Sequence, residues 1–226
     1  MALLTAGSAV YAAGTPTGGI FIDPGHSPKS PGTTSCSAKP EYLYNSALAK
    51  TVAAFLASKQ VAVTLTHGEN EEVTLLQRTQ RSTGGALLLS LHHDSVQPQF
   101  LSRQSRKRGY CSKKAKGFSI FVSRKNPYFE TSLRYATALG AALLKKGLTP
   151  TLHHAEPIAG ENRELLIPEK GIYVFDDLVV LKTATSPAVL LEAAVIVNPD
   201  DDTLAGSQKF RLAVAESVYE MLAVLR

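Results

Sequence analysis

Three apolar segments of this chain each end in a polar side chain that can bind a metal or carry a proton. They cover residues 20–26, 87–92 and 187–192, and their last residues are His26, His92 and Glu192. Pro24 and Gly25 break regular structure, so the first segment reads as a buried strand followed by a tight turn. In an α/β sheet, ligands bind at the carboxyl ends of the strands. We therefore expect these three side chains to meet at one edge of a sheet.

A fourth polar side chain, Glu41, opens a helical pattern over residues 41–58. Two histidines, one carboxylate and an open fourth position make up the ligand set of a catalytic zinc site. His26, Glu41 and His92 supply that set, and Glu192 is left over as a general base. On position alone, Glu41 would serve only to compensate the partial positive charge at the amino end of a helix. A histidine in a turn, such as His26, usually has a structural role. The case for chemistry rests on the four residues together.

The four motifs together resemble the zinc-dependent N-acetylmuramoyl-L-alanine amidases of the Amidase_3 type. The matching residues are Asp23-Pro24-Gly25-His26, Glu41 with Asn45 four residues later, Ser90-Leu91-His92, the segment from Pro187 to Glu192, and Asn198. Their order and approximate spacing match from about residue 18 to the carboxyl terminus. The resemblance implies zinc held by His26, Glu41 and His92, with Glu192 moving the proton.

The resemblance also implies a reaction and a partner. The reaction is hydrolysis of the amide between N-acetylmuramic acid and L-alanine of the stem peptide, and the partner is peptidoglycan. Two alternatives stay open at this point. The same ligand set serves other zinc peptidases and amidohydrolases acting on cell-wall peptides, and a cell-wall-binding scaffold with an idle site would keep the same residues.

Glu192 has a structural alternative of its own. A glutamate that follows five apolar residues is uncommon without a purpose, because carboxylates are rarely buried unless they are paired. The purpose could be an ion pair with Arg78 or Arg163. Among leucine and alanine side chains, burial is expected to raise the pKa of the Glu192 carboxyl, which suits acid–base chemistry.

Three polar residues near the motifs receive structural interpretations. His67 stands where the resembled family usually has an arginine, and we expect it at the surface. His93 should point to the face opposite His92, because strand side chains alternate. His93 and Asp94 are interpreted as polar loop residues after the strand, with contacts to the metal ligands as the alternative.

Hydrophobic periodicity predicts the other elements. Strands are expected at residues 19–22, 61–66, 86–91, 117–123 and 187–192. Helices are expected at residues 41–58, 73–82, 127–146 and 203–225. Their alternation predicts a single α/β domain with a mostly parallel sheet. The resemblance implies a twisted, mixed sheet of about six strands with helices on both faces.

The length of 226 residues suits one domain, which we place at residues 17–226. The formal net charge is +5, and much of the excess lies in residues 103–116, inside an expected insertion at 95–116. Such a run is either a solvated, mobile loop or a contact for an anionic polymer. Tyr110 is its only aromatic residue, so nucleic-acid stacking is disfavoured, and cell-wall polymer fits better.

Export is the expected destination, to the periplasm or outside the cell. Residues 1–16 resemble the late part of a signal peptide, although they lack a basic region. Cys36 and Cys111 lie in loop-like sequence without metal-binding spacing, which favours a disulfide in an oxidising compartment over two free thiols. No run of eighteen apolar residues occurs, so no membrane span is expected. We expect a monomer.

Residues 149–172 have the least regular pattern in the chain and are rich in histidine and glutamate. A solvated surface connection is the favoured interpretation, because loops of this length usually run over the surface. The alternatives are a lid over the zinc or a segment that places a carboxylate on it. Whether a protein activator displaces the segment stays open.

Overall fold

The computed structural model describes residues 18–103 and 109–225. Its strands are β1 (Ile20–Pro24), β2 (Val63–Leu65), β3 (Leu87–Asp94), β4 (Ser102–Arg103), β5 (Tyr110–Cys111), β6 (Ser119–Val122), β7 (Leu165–Ile167), β8 (Ile172–Val174) and β9 (Ala188–Val195). Its α-helices are α1 (Glu41–Ser58), α2 (Leu75–Arg81), α3 (Phe129–Lys145), α4 (Val179–Thr183), α5 (Pro199–Ala205) and α6 (Gln208–Met221). The expected signal-peptide remnant and the basic residues 104–108 lie outside the described residues.

Seven strands form one mixed sheet in the order β2-β1-β3-β9-β6-β8-β7. The four strands from β2 to β9 are parallel to one another, while β6 runs antiparallel to β9 and β7 antiparallel to β8. This confirms the predicted single α/β domain with a mostly parallel, mixed sheet. The parallel half brings the carboxyl ends of β1, β3 and β9 to one edge.

Helices cover both faces of the sheet, as expected. On one face, α1, α3 and α6 bury side chains such as Leu48, Leu139 and Val214 against alternate strand residues that include Leu89 and Leu191. On the other face, α4 packs with strand residues of opposite parity, and α2 lies against α4. Because β3 is covered on both faces, neither of its two alternating sets of side chains faces solvent, and its sequence is therefore a continuous apolar run.

Helices α1, α5 and α6 begin and end close to where capping residues and apolar spacing place them. Helix α1 begins at Glu41 and ends at Ser58, as the apolar spacing predicted. The predicted closing helix over 203–225 is wrong in detail, since the chain forms α5 and α6 instead. Asn198 caps α5 by accepting from the amide of Asp200, and Ser207 caps α6 by accepting from the amide of Phe210.

Several short elements escaped the sequence prediction, namely β4, β5, β7, β8 and α4, and one predicted strand was cut short. The strands β7 and β8 have three residues each, too few for a periodic signal. Strand β3 continues to Asp94, three residues beyond the predicted end at Leu91, because β9 pairs with it along that length. His93 and Asp94 are therefore buried strand residues, and their interpretation as loop residues is wrong.

The predicted disulfide is confirmed between Cys36 and Cys111. It joins the loop before α1 to β5 in the insertion, and both residues are buried. The amide of Cys36 also donates to the carbonyl of Ile196, so the loop is held against the end of β9. Within residues 18–103 and 109–225, no helix is long and apolar enough to cross a membrane.

Candidate active site

His26 lies two residues after the end of β1 and has a left-handed backbone, with φ of 67°. That conformation is uncommon for a residue with a side chain, and it turns the imidazole back toward the sheet edge. The ring atom Nδ1 lies 3.1 Å from the carbonyl of Ser30, and Nε2 lies 3.2 Å from Oε2 of Glu41. The ring is oriented on one side and directed at the carboxylate on the other.

Glu41 is the first residue of α1 and is only 4% exposed. The amide of Thr33 donates to its Oε2 at 3.0 Å, and Nδ2 of Asn45 donates to its Oε1 at 2.9 Å. Burial opposes charge on Glu41, but the imidazoles of His26 and His92 outweigh burial and hold the pKa of the carboxyl well below its usual range. Glu41 is thus an ionised, positioned acceptor.

His92 lies near the end of β3, and its Nδ1 is 3.1 Å from Oε1 of Glu41. The rings of His26 and His92 meet edge to face with centroids 4.9 Å apart. One ligand atom from each of His26, Glu41 and His92 lies within 4.8 Å of the others. Two imidazole nitrogens and one carboxylate oxygen, partly open to solvent, are the donor set that catalytic zinc takes. The three residues therefore fit the metal that the resemblance implied.

Two glycines make the close approach of these side chains possible. A Cβ on Gly25 would lie 2.3 to 2.5 Å from ring atoms of His92. A Cβ on Gly32 would lie 2.3 Å from Oε2 of Glu41, and the φ of Gly32 is +73°. Any larger residue at either position would displace a candidate ligand.

Glu192 lies on β9 as the register partner of His92 on β3. Within the described residues, its buried Oε2 has no hydrogen-bond partner. Burial raises the pKa of the carboxyl well above its ordinary value, and the negative charges of Asp94 and Glu41 raise it further. A buried carboxylate oxygen without a partner is costly, and its position beside the three candidate ligands suits a role toward a bound molecule.

The two arginines considered as ion-pair partners of Glu192 are engaged elsewhere. Nη1 of Arg78 lies 3.1 Å from Oδ1 of Asp23, and Nη1 of Arg163 lies 2.8 Å from Oε2 of Glu161. Neither arginine is therefore the ion-pair partner that the structural alternative for Glu192 requires.

A buried polar network supports the turn before His26. Asp23 is fully buried and accepts from the hydroxyls of Thr66 and Ser90 at 2.6 and 2.8 Å. Arg78 bonds both Asp23 and the carbonyl of Pro24, and its Nη2 donates to the carbonyl of His26 at 2.8 Å. The arginine and the carboxylate thereby fix the backbone that carries a candidate ligand.

The expectation that His67 lies at the surface is wrong. It is 5% exposed, and its Nε2 lies 2.8 Å from the carbonyl of Pro24. His67 therefore packs beneath the same turn as Arg78. Its burial arises because the chain folds back over β1 after β2, which no local pattern reveals.

His93 points to the α1 face, opposite His92, as strand alternation predicted. Its backbone amide donates to Oε1 of Glu41 at 3.2 Å. Its Nδ1 lies 2.7 Å from Oδ1 of Asn45. Because Nδ2 of Asn45 donates to Glu41 and to the carbonyl of Gly25, the imidazole must donate to Oδ1. His93 is therefore an outer partner of the candidate ligands.

A second cluster was missed from the sequence. Asp94, His153 and His154 are all buried, and one ligand atom from each lies within 4.8 Å of the others. The two histidines belong to the segment 149–172, which is fixed here by buried contacts. The favoured interpretation of that segment as a solvated connection is therefore wrong for its first part. Spacing gave no signal, because about sixty residues separate Asp94 from the histidines.

A groove of about 540 Å³ opens beside His26 and His92, two of the three candidate ligands. Its walls include His26, His92, Arg78, Val180 and Leu75. Leu75, at the start of α2, is 49% exposed. The groove thus offers apolar wall next to the candidate metal site, which is the usual make-up of a ligand-binding cleft.

Comparison with known proteins identifies relatives of this chain. The chain is 27% identical over 205 residues to the probable cell wall amidase LytH of Staphylococcus saprophyticus, a match that covers 90% of this chain and 56% of that protein. It is 25% identical over 226 residues to the N-acetylmuramoyl-L-alanine amidase AmiA of Escherichia coli, covering 89% of this chain and 73% of that protein. The chain thus spans little more than half the length of LytH.

A solved structure shares the fold. The N-acetylmuramyl-L-alanine amidase Ami1 of Mycobacterium smegmatis superimposes with a TM-score of 0.72 at 20% identity, over 92% of this chain and 96% of that one. The family model named Amidase_3, N-acetylmuramoyl-L-alanine amidase, matches residues 20–224, which is nearly the whole described chain. The chain therefore belongs to the Amidase_3 family of N-acetylmuramoyl-L-alanine amidases.

Proposed function

We propose that this chain is a zinc-dependent peptidoglycan hydrolase that cleaves the amide between N-acetylmuramic acid and L-alanine of the stem peptide. The observation that carries the proposal is the meeting of His26, Glu41 and His92 within 4.8 Å, with Glu192 opposite His92 on the next strand. Family membership and the names of the relatives LytH and AmiA support the substrate class.

His26, Glu41 and His92 would hold the metal. A zinc ion in such a site is a Lewis acid toward the carbonyl oxygen and lowers the pKa of a water molecule toward about 7. The residues around the ligands hold them in place: Ser30 orients His26, and Asn45 with Thr33 orients Glu41. Such outer contacts set ligand orientation and basicity.

Glu192 would move the proton. Its carboxylate accepts a proton from the attacking water and donates it to the leaving amide nitrogen, which is a poor leaving group unless it is protonated. Water adds across the amide, so the products are the free lactyl carboxyl group of muramic acid and a stem peptide with a free L-alanine amine. Burial and the nearby carboxylates of Asp94 and Glu41 raise the pKa of Glu192, which suits a group that must both take up and release a proton.

The groove beside His26 and His92 would receive the stem peptide, with Val180 and Leu75 as apolar wall. Action on a cell-wall polymer implies export to the periplasm or the outside of the cell. The Cys36–Cys111 disulfide supports that destination, because disulfides persist in oxidising compartments.

Digestion of purified peptidoglycan followed by mass spectrometry of the soluble fragments tests the bond. Intact stem peptides with an L-alanine amino terminus, matched by peptide-free glycan strands, are expected. Peptides shortened at their carboxyl ends would instead identify a carboxypeptidase. Binding to peptidoglycan without any release would identify the scaffold alternative. Glu216→Gln, on helix α6 with its carboxylate paired to Lys146, is a control that should digest like the wild type.

A further inference from the structure

Asp94, His153 and His154 form a buried cluster that the proposed amidase mechanism does not use. Asp94 ends β3, and the histidines occupy a 3-10 turn at His153–Ala155. The relative exposure of these three residues is between 7 and 9%. The turn lies more than fifty residues after Asp94 in the sequence, so it is the tertiary fold that brings these three groups together.

Both imidazoles direct the same ring atom at one oxygen. Nε2 of His154 lies 2.8 Å from Oδ2 of Asp94, and Nε2 of His153 lies 3.5 Å from the same oxygen. The ring centroids of the two histidines are 3.9 Å apart. Ligands of one metal at 2.0 to 2.2 Å lie roughly 3 to 3.5 Å from one another, so these separations suit a shared cation.

The other nitrogen of each ring is held by an outer partner. Nδ1 of His154 lies 2.8 Å from Oε2 of Glu161, and Nδ1 of His153 lies 2.9 Å from Oγ1 of Thr151. Metal-bound histidines almost always donate their second N–H group to a carboxylate or another acceptor. Glu161 is itself fixed by Arg163 and Gln97. Nε2 of His154 faces Asp94, whereas Nε2 of His153 also lies 3.2 Å from the carbonyl of Ser95, a contact that a metal would replace.

We propose that Asp94, His153 and His154 form a second site for a divalent transition metal, distinct from the site of His26, Glu41 and His92. Two imidazole nitrogens with one carboxylate oxygen are a donor set for zinc, iron and related ions. A metal here would tie the segment 149–172 to β3, the strand that presents His92. The proposal does not depend on the amidase activity.

A proton is the competing occupant. Burial opposes charge on His154, but Asp94 and Glu161 outweigh burial and raise its pKa to about 9. A buried imidazolium between two carboxylates would satisfy the same groups without metal. Metal binding must then release that proton, and counting metal ions separates the two states.

Stoichiometry tests the proposal. Metal-free protein is titrated with Co²⁺ and with Zn²⁺, using visible absorption for cobalt and bound-metal analysis for zinc. We expect two ions per wild-type chain, one ion in His153→Gln/His154→Gln, and one ion in Glu41→Gln. Glutamine keeps hydrogen-bonding groups in the cluster but is a poor ligand for these metals. Glu161→Gln should retain both ions and bind the second one about 10- to 100-fold more weakly.

The outcomes separate the two sites. A single ion that is lost in Glu41→Gln and kept in the double histidine variant would overturn the second site and leave the amidase proposal standing. A single ion with the opposite behaviour would uphold the second site and contradict the first. If the double variant does not fold, anomalous diffraction from zinc-soaked wild-type crystals decides, since absence of a peak between Asp94 and the two histidines overturns the proposal.

Discussion

His92 and Glu192 are register partners on the neighbouring parallel strands β3 and β9, so both side chains leave the sheet at the same edge and on the same face. Parallel pairing thus sets a candidate metal ligand beside the carboxyl group proposed to move the proton. The relationship depends on backbone hydrogen bonds between two buried strands, which makes it rigid.

His93 should affect metal affinity although it cannot reach the metal. It supports Asn45, which in turn holds Glu41. His93→Phe keeps ring volume but removes the donor to Asn45, and we expect zinc affinity to fall about 10- to 100-fold. Chelator competition measures this affinity. Tyr44→Phe is the matched control, because its ring contacts His93 while its hydroxyl bonds Asp202. Equal affinities for His93→Phe and wild type would contradict the outer-partner role.

Arg78 should dominate the stability of the turn before His26. Arg78→Met leaves the fully buried Asp23 without its cation, and removal of one partner from a buried ion pair costs about 3 to 5 kcal/mol. Urea unfolding measures the loss. Arg124→Met removes an exposed ion pair with Glu164 and should change stability little. If both variants unfold at the same urea concentration, the buried pair is not a structural requirement.

The disulfide should stabilise the fold by lowering the conformational entropy of the unfolded chain. Cys36 and Cys111 are 75 residues apart, and closing a loop of that length restricts the unfolded state. Cys36→Ser/Cys111→Ser should therefore lose about 2 to 5 kcal/mol of unfolding free energy. Reduced wild type should match the variant. An unchanged midpoint of unfolding after reduction would argue against the expected contribution.

The carboxyl of Asp201 should make the free energy of unfolding decrease as pH rises. Burial raises the pKa of its carboxyl, although Oδ2 accepts from the amides of Gly117 and Val195. The folded state then holds a proton that the unfolded state releases near pH 4, so wild type loses stability between about pH 4 and the raised pKa. Asp201→Asn keeps an oxygen acceptor and should lack this loss.

Thermal unfolding between pH 4 and pH 8 compares the two proteins, and the advantage of Asp201→Asn should grow with pH and level off. Asp200→Asn, which removes an exposed pair with Lys116, should change stability little at any pH. A constant difference between wild type and Asp201→Asn across the range would contradict the raised pKa.

The sequence predicted what depends on local pattern. Apolar runs bounded by proline and glycine located β1, β3 and β9, and apolar spacing located α1 to the residue. The carboxyl-end rule for α/β sheets then anticipated that His26, His92 and Glu192 would meet at one edge, and the zinc ligand set and the resemblance added Glu41. The separations of His26, Glu41 and His92 agree with that grouping. Their roles as ligands stay predictions.

Contacts between distant segments were beyond the reach of local pattern. His67 is buried because a turn folds over β1, and Asp94 meets His154 because residues 149–172 return to the sheet edge. The burial of His67 and the contact between Asp94 and His154 both depend on tertiary packing, and the residues next to them in sequence carry no pattern that predicts it. The length of β3 likewise depends on its pairing with β9, which is about a hundred residues away.

The central claim is that His26, Glu41 and His92 hold zinc while Glu192 moves the proton. Zinc content and peptidoglycan digestion of Glu192→Gln test it most directly. The variant should bind zinc at the amidase site like wild type and release stem peptides at least 100-fold more slowly, the low end of what positioned acid–base groups contribute. Wild-type release by zinc-loaded Glu192→Gln would contradict the account.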